Sequence, residues 1–146
     1  MTFSNQQRKF DTSHDFLERR TMKLRNLLYF SILSMLATQA FGLAHITSID
    51  LFMKKIERGN TVAYFTADWC FYCKQFEPTI NTVAIKFPTI SFLQVNVNQA
   101  EAIALTFSVS SLPTVLYFKD GKLVDRTRGS MSQRNFEAKV KQVFNL

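Results

Sequence analysis

The order of segments predicts an α/β domain in which a mixed central β-sheet carries helices on both faces. Strand-like and helix-like stretches alternate as βαβαβα from His45 to Phe107, and the chain then closes with two strand-like stretches and one more helix. Alternating units imply parallel strands joined by crossover helices. The closing pair, separated by Asp120-Gly121, implies an antiparallel hairpin. The stretch Thr61-Val62-Ala63-Tyr64-Phe65-Thr66 is β-branched and aromatic with almost no polar alternation, as suits a strand covered from both sides.

Taken in order, His45-Ile46-Thr47 forms a short first strand. Ser48 caps a helix that carries Ile49, Phe52, Met53 and Ile56 on one face and stops at Gly59. After the strand at 61–66, Asp68 and Trp69 make a turn. A helix then runs from about Cys70 to about Phe87, bent near Pro78, whose ring removes an internal hydrogen bond. Thr89 to Val95 is the next strand, ended by the run Asn96 to Asn98, and Gln99 to Phe107 is a short helix with Ile103, Ala104 and Phe107 inward. Thr114 to Phe118, Asp120-Gly121 and Leu123-Val124 form the hairpin. Ser130 with Gln133 three residues on is a capping-box pattern opening the last helix, where Phe136, Val140, Val143 and Phe144 form a stripe at helical spacing.

A chain of 146 residues holds one domain plus an appendage, and a hydrophobic content of 47% with 15 Phe is ample for its core. The appendage is N-terminal. Lys23 and Arg25 precede a charge-free stretch from Asn26 to Ile49, most apolar from Leu27 to Leu36, followed by Thr38-Gln39-Ala40 with small residues where a signal peptidase needs them. Residues 22–40 therefore read as a secretory signal peptide, with cleavage after Ala40 leaving residues 41–146 as the folded domain. An uncleaved anchor is the competing reading, since a bilayer needs roughly 20 apolar residues, but Gln39, His45, Thr47 and Ser48 make the second half a poor lipid-facing helix. Residues 1–21 are a polar leader without apolar periodicity. Met22-Lys23-Leu24-Arg25 makes the better n-region, so Met22 is the expected translation start, against a disordered tail ahead of an anchor.

The net charge of +7 does not signal nucleic-acid binding. Residues 1–43 hold six basic and three acidic side chains, and residues 44–146 hold twelve and eight, so the domain carries only +4, thinly spread. Lys119, Lys122, Arg126 and Arg128 flank the hairpin and read as a solvated face, with no nucleic-acid module to support them.

Both cysteines lie in one hexapeptide, Trp69-Cys70-Phe71-Tyr72-Cys73-Lys74. Two thiols three residues apart can close a disulfide on each other, and at the start of a helix one turn brings them within bridging range. The helix N-terminus lowers the pKa of the first thiol, because unpaired N–H groups stabilise a thiolate there. A bridge closing so small a loop adds little stability, so it serves exchange. A zinc half-site is the competing reading, but zinc wants four ligands, and His14 and His45 lie far off in the leader or at its edge. Phe71 and Tyr72 serve equally well as a substrate platform or as shelter for the thiolate. Lys74 either lowers the pKa of Cys70 or is a solvated helix lysine.

Over residues 44–146 the chain resembles the thioredoxin superfamily. The matching residues are Ala67-Asp68-Trp69-Cys70, Cys73-Lys74, Pro78, Leu112-Pro113-Thr114, Lys119-Asp120-Gly121 and Gly129. The resemblance implies a thioredoxin fold, Cys70 as the nucleophile that attacks a substrate disulfide and Cys73 as the thiol that resolves the mixed disulfide. It implies a cis-proline at Pro113, with the Leu112 backbone pairing with substrate, Trp69 shielding the site and Gly129 leaving room for close packing. Two departures stand out: cytosolic thioredoxins place a buried acid at the position of Tyr64, paired with a lysine at that of Gln94, and Phe71-Tyr72 replaces their Gly-Pro. The string Ala67–Cys70 with Cys73-Lys74-Gln75-Phe76-Glu77 is most similar to the periplasmic C-terminal domain of the bacterial transmembrane thiol-reductant conduit, which has an acid where Glu77 stands. Glu77 lies one helical turn beyond Cys73 and is the expected proton handler for it.

The expected function is an exported thiol–disulfide oxidoreductase exchanging its CxxC couple with protein disulfides or dithiols. It leans towards reduction and is served by a redox partner such as a membrane thiol reductant or oxidant. A disulfide oxidase or isomerase, and a non-catalytic binding or chaperone module using the groove at Pro113, are the alternatives. The expected location is the bacterial periplasm, in free form or anchored in the inner membrane facing it. No cofactor or metal is called for, and a monomer is expected because no room exists for the separate dimerisation domain common among isomerases of this superfamily.

Overall fold

The computed structural model describes residues 42–146, so the expected leader at 1–21, the signal segment at 22–40 and His14 lie outside the described residues. The elements are β1 (Ala44–His45), α1 (Ile49–Ile56), β2 (Asn60–Thr66), α2 (Phe71–Lys86), β3 (Ser91–Asn96), α3 (Glu101–Thr106), β4 (Thr114–Lys119), β5 (Lys122–Arg128) and α4 (Gln133–Phe144). They build a five-stranded sheet in the order β1-β3-β2-β4-β5. β2 is parallel to β3 on one side and antiparallel to β4 on the other, which makes the sheet mixed.

Every residue from Thr61 to Thr66 is buried, because successive side chains of this central strand feed opposite cores. Val62 and Tyr64 join Phe76, Ile80 and Val83 of α2 and Phe136, Val140 and Phe144 of α4. Ala63 and Phe65 join Phe52 and Ile56 of α1 and Ile103 and Ala104 of α3. Helices thus cover both faces, as the alternation of segments predicts. Lys86 and Glu137 form an ion pair between α2 and α4, and Lys139 holds Asp125 at 2.6 Å, tying α4 to β5. Burial and a bond from Thr127 set the Tyr117 hydroxyl on this face of the sheet, the burial winning and pushing its pKa up to about 12.

Several local expectations need correction. Met53 is exposed, because α1 spans eight residues and needs only Phe52 and Ile56 to seat it. The cap of α4 is Ser132, whose Oγ accepts from the Asn135 N–H at 3.4 Å, and Gln133 reaches forward to Glu137 instead of back to a cap at Ser130. β3 starts at Ser91, since Phe87 to Ile90 close a turn in which the Ile90 N–H donates to the Phe87 carbonyl. Arg126 is not a solvated residue of a basic face: its guanidinium donates to the carbonyls of Phe107 and Ser108 and so caps the C-terminus of α3. The hairpin turn is as expected, with Asp120 at φ 47° and Gly121 at φ 80°. α2 runs unbroken through Pro78.

Candidate active site

β2 ends at Thr66, and the next four residues turn the chain into α2. The Val97 N–H donates to the Thr66 carbonyl, and the Cys70 N–H to that of Ala67 at 3.0 Å, which closes the turn. The end of β3 braces it from the side. Asn96 donates through Nδ2 to Asp68 Oδ1 at 2.9 Å, and the Trp69 indole N–H donates to Asn98 Oδ1 at 3.3 Å. Asp68 is thus a turn residue held by a strand end. Asn96 and Asn98, which read in the sequence only as a strand stop, fix the approach to the cysteines.

Cys70 is the N-cap of α2. Its backbone is extended, at φ −82° and ψ 102°, and its sulfur accepts from the Cys73 N–H at 3.2 Å. That N–H is one of the orphan donors of a helix start, and it favours negative charge on the sulfur whenever the bridge is open. Cys70 and Cys73 are joined as a disulfide with their Cα atoms 5.3 Å apart. The two sulfurs are not equivalent in access: Cys70 retains 6% exposure and Cys73 none.

Underneath Cys73 lies Tyr64 of β2, wholly buried, its ring set edge-on to Phe76 at 6.0 Å. Its hydroxyl donates to the Cys73 carbonyl at 2.9 Å, bridging the central strand to the first turn of α2. Burial holds this phenol above its ordinary pKa. A bond from the Thr66 hydroxyl works against that shift, and the charge of Glu77 adds to it. A protonated donor therefore occupies the position where the family resemblance implies an acid. Gln94, beside Tyr64 in the β2–β3 register, is also buried, and its Oε1 has no protein partner among the described residues.

Leu112 and Pro113 are joined by a cis peptide bond directly before β4. Phe65 of β2 is in register with Thr114 of β4, so the Leu112–Pro113 bond sits at the end of the sheet from which Cys70 departs. Leu112 packs against the cluster that holds both cysteines. Gly129 donates to the Pro113 carbonyl at 2.8 Å. Close packing is not what requires glycine there, since a Cβ would meet nothing within 4 Å. The left-handed φ of +83° is the reason. Lys74 is exposed and Glu77 half-buried on α2, while Trp69, Phe71 and Tyr72 stand out to solvent. The fold thus gathers Trp69, Cys70, Cys73, Lys74 and Glu77 at one end of α2 and brings Leu112 and Pro113 to the same end of the sheet. Sequence reasoning saw Tyr64 only as a missing acid, although a tyrosine in an otherwise apolar buried strand needs a partner for its hydroxyl.

The thioredoxin family model matches residues 44–142. Thioredoxin of Chlamydia muridarum is 36% identical over 87 residues, covering 60% of this chain and 85% of that one. Thioredoxin H-type 1 of Nicotiana tabacum is 33% identical over 105 residues, covering 70% of this chain and 83% of that one. Among solved structures, thioredoxin from Trypanosoma brucei brucei superposes with a TM-score of 0.70 at 25% identity, covering 75% of this chain and 97% of that one.

Proposed function

The chain belongs to the thioredoxin family and is a thiol–disulfide oxidoreductase with a close Cys70–Cys73 pair, and from that premise we propose that it is an exported reductase of protein disulfides. The observation that carries the division of labour is the difference in access between the two sulfurs. A substrate can reach Cys70 but not Cys73. The Cys70 thiolate attacks a substrate disulfide, forms a mixed disulfide and expels the first substrate thiolate. Cys73, deprotonated, then attacks Cys70 Sγ, closes the Cys70–Cys73 bridge and expels the second. Two electrons pass from the dithiol to the substrate, and a thiol reductant must return two electrons to the bridge before the next turnover.

Export is supported by residues 22–40, which read as a signal peptide or membrane anchor, and a bacterial periplasm is the proposed location. The reductive direction is supported by the likeness of Ala67–Cys70 and Cys73–Glu77 to the periplasmic domain of the transmembrane thiol-reductant conduit. A membrane thiol reductant is accordingly the proposed source of electrons, and the domain works as a monomer. Glu77 takes the proton from Cys73: it lies one turn further along α2, and its charge reaches the Tyr64 hydroxyl that rests on the Cys73 carbonyl. Glu77→Gln slows resolution of the mixed disulfide at neutral pH, and an unchanged rate would remove Glu77 from the mechanism.

The deciding experiment is the equilibrium reduction potential of the Cys70–Cys73 couple, titrated against defined thiol buffers. A value near about −270 mV supports the reductase, and one near about −120 mV makes the protein a disulfide donor and refutes it. Mass measurement of the processed protein in a periplasmic fraction tests the export half, with a cytoplasmic, unprocessed chain as the contrary result.

A further inference from the structure

Residues 107–113 carry the chain from the end of α3 into β4, and β5 with the residue after it holds them at both ends. At the first end the Arg126 guanidinium donates through Nη2 to the Phe107 carbonyl at 2.5 Å and through Nη1 to the Ser108 carbonyl at 3.0 Å. At the second, the Gly129 N–H donates to the Pro113 carbonyl at 2.8 Å, and the Thr114 hydroxyl adds a bond to the Ser111 carbonyl at 2.7 Å. Between these ties, Ser110, Ser111 and Leu112 make no backbone–backbone hydrogen bond with a described residue. The first end also needs holding. Ser108 sits at φ 52°, a left-handed conformation that L-residues other than glycine adopt at a cost. Arg126 is half-buried and in register with Leu116 of β4, so the sheet anchors the fork that meets these two successive carbonyls.

We infer that Arg126 is a positioning residue for the exchange site: by gripping the Phe107 and Ser108 carbonyls it keeps Leu112 seated against the core that encloses Cys73. This rests on the proposed division of labour between the two sulfurs and names the group that maintains it. Leu112 is partly buried and packs against both cores, the one that contains Cys70 and Cys73 and the one that contains Ile103 and Ala104 of α3. A span with no backbone bonds in its middle holds its side chains only as firmly as its ends are held. Guanidinium bonds are charge-assisted and stronger than neutral ones, and two of them on successive carbonyls fix direction as well as distance. Losing that grip makes a local opening at Leu112 easier while the rest of the domain stays folded. Cys73 is wholly closed off in the folded state, so exposure of its sulfur reports such an opening.

The full-length Cys70→Ser protein keeps Cys73 as its only thiol. The rate at which iodoacetamide alkylates it, followed by intact mass at fixed pH, measures that exposure. Adding Arg126→Leu is expected to raise the rate about tenfold, and adding Arg126→Lys, which keeps the charge but not the fork, about threefold. Urea separates local opening from a general loss of stability, because it favours most the openings that expose most surface. The rate with Arg126→Leu should stay nearly flat in low urea. Adding Asp125→Asn instead, which weakens the tie from β5 to Lys139 of α4, should leave the Cys70→Ser rate unchanged. A rate with Arg126→Leu equal to that of Cys70→Ser overturns the inference. So does a rise that climbs with urea as steeply as global unfolding, or one that Asp125→Asn reproduces. If the Arg126→Leu protein does not fold, the Arg126→Lys comparison decides on the same terms. Rapid alkylation of Cys73 in Cys70→Ser itself is a different failure, since it removes the division of labour on which the inference rests.

Discussion

Replacing Tyr64 by Phe removes one buried hydroxyl and nothing else. The ring is retained, so the edge-on contact with Phe76 at 6.0 Å and the apolar area in the core are unchanged. What is lost is the 2.9 Å bond to the Cys73 carbonyl, together with the bond from Thr66. A neutral hydrogen bond contributes about 0.5–1.5 kcal/mol net, so Tyr64→Phe is expected to destabilise the domain by about 1 kcal/mol. For a domain near 100 residues that corresponds to a Tm lower by about 4–8 °C, read by thermal unfolding of the oxidised protein. The chemistry is expected to survive, because the phenol, with its pKa raised by burial, is a donor at neutral pH and takes no proton from Cys73. Stopped-flow measurement of mixed-disulfide resolution should give a pH profile that coincides with wild type, in contrast to that of Glu77→Gln. A loss of more than about tenfold in resolution rate, about 1.4 kcal/mol in activation free energy, without a loss of stability would refute this. It would make Tyr64 part of the proton path.

Two of the shifted groups, Asp125 and Tyr117, limit stability on opposite sides of neutrality. Lys139 holds the Asp125 carboxyl below its ordinary pKa, so its contribution is present above the unfolded carboxylate range and is lost as pH falls through the lowered folded value. Asp125→Asn should flatten that part of the acid slope by less than about 1 kcal/mol, as for other partly exposed ion pairs, measured by urea unfolding between neutral and acid pH. Burial raises Tyr117 to about 12, so the stability it confers is intact below the ordinary phenol pKa and is lost as pH climbs towards 12. Tyr117→Phe should remove that alkaline loss. Gln94→Met removes the buried amide oxygen that has no protein partner. It should stabilise the domain by about 1 kcal/mol, seen as a higher urea midpoint at unchanged slope, and a lower midpoint would contradict the reading of that oxygen as unsatisfied.

The features that read directly from the sequence are those set by local pattern. The two-faced strand at 61–66, the alternation of segments, the Asp120-Gly121 turn and the Cys pair at a helix start each depend on a few adjacent residues and a known backbone preference. What the sequence hid is set by contacts between distant segments. The Tyr64 hydroxyl finds a carbonyl across the strand–helix crossing, and Arg126 of β5 finds the end of α3; no spacing rule encodes either. Ser130 and Ser132 are both cap-type residues, and the helix begins at Gln133, which makes Ser132 the cap. Gly129 itself was recognisable as a required glycine, but the reason is backbone conformation and not crowding.

The proposed exchange makes two demands that pull against each other, and on that proposal they fall on different sulfurs. The attacking thiol must be reachable and easily ionised, which the N-cap position gives Cys70 through the Cys73 N–H and the residual 6% exposure. The resolving thiol must be kept from solvent thiols and substrates, which the first turn of α2 over the central sheet gives Cys73. Cys73 is closed off from solvent, so on the proposed mechanism resolution is the step at which a protein group, Glu77, accepts the proton. Single removals are therefore unequal. Cys73→Ser should attack a disulfide peptide at near wild-type rate and accumulate a covalent adduct at Cys70, seen by intact mass. Cys70→Ser should give no adduct, because no substrate reaches Cys73. A Cys70→Ser protein that formed the adduct would show that the helix start opens enough to expose the second sulfur, and the division of labour drawn from burial would fall with it.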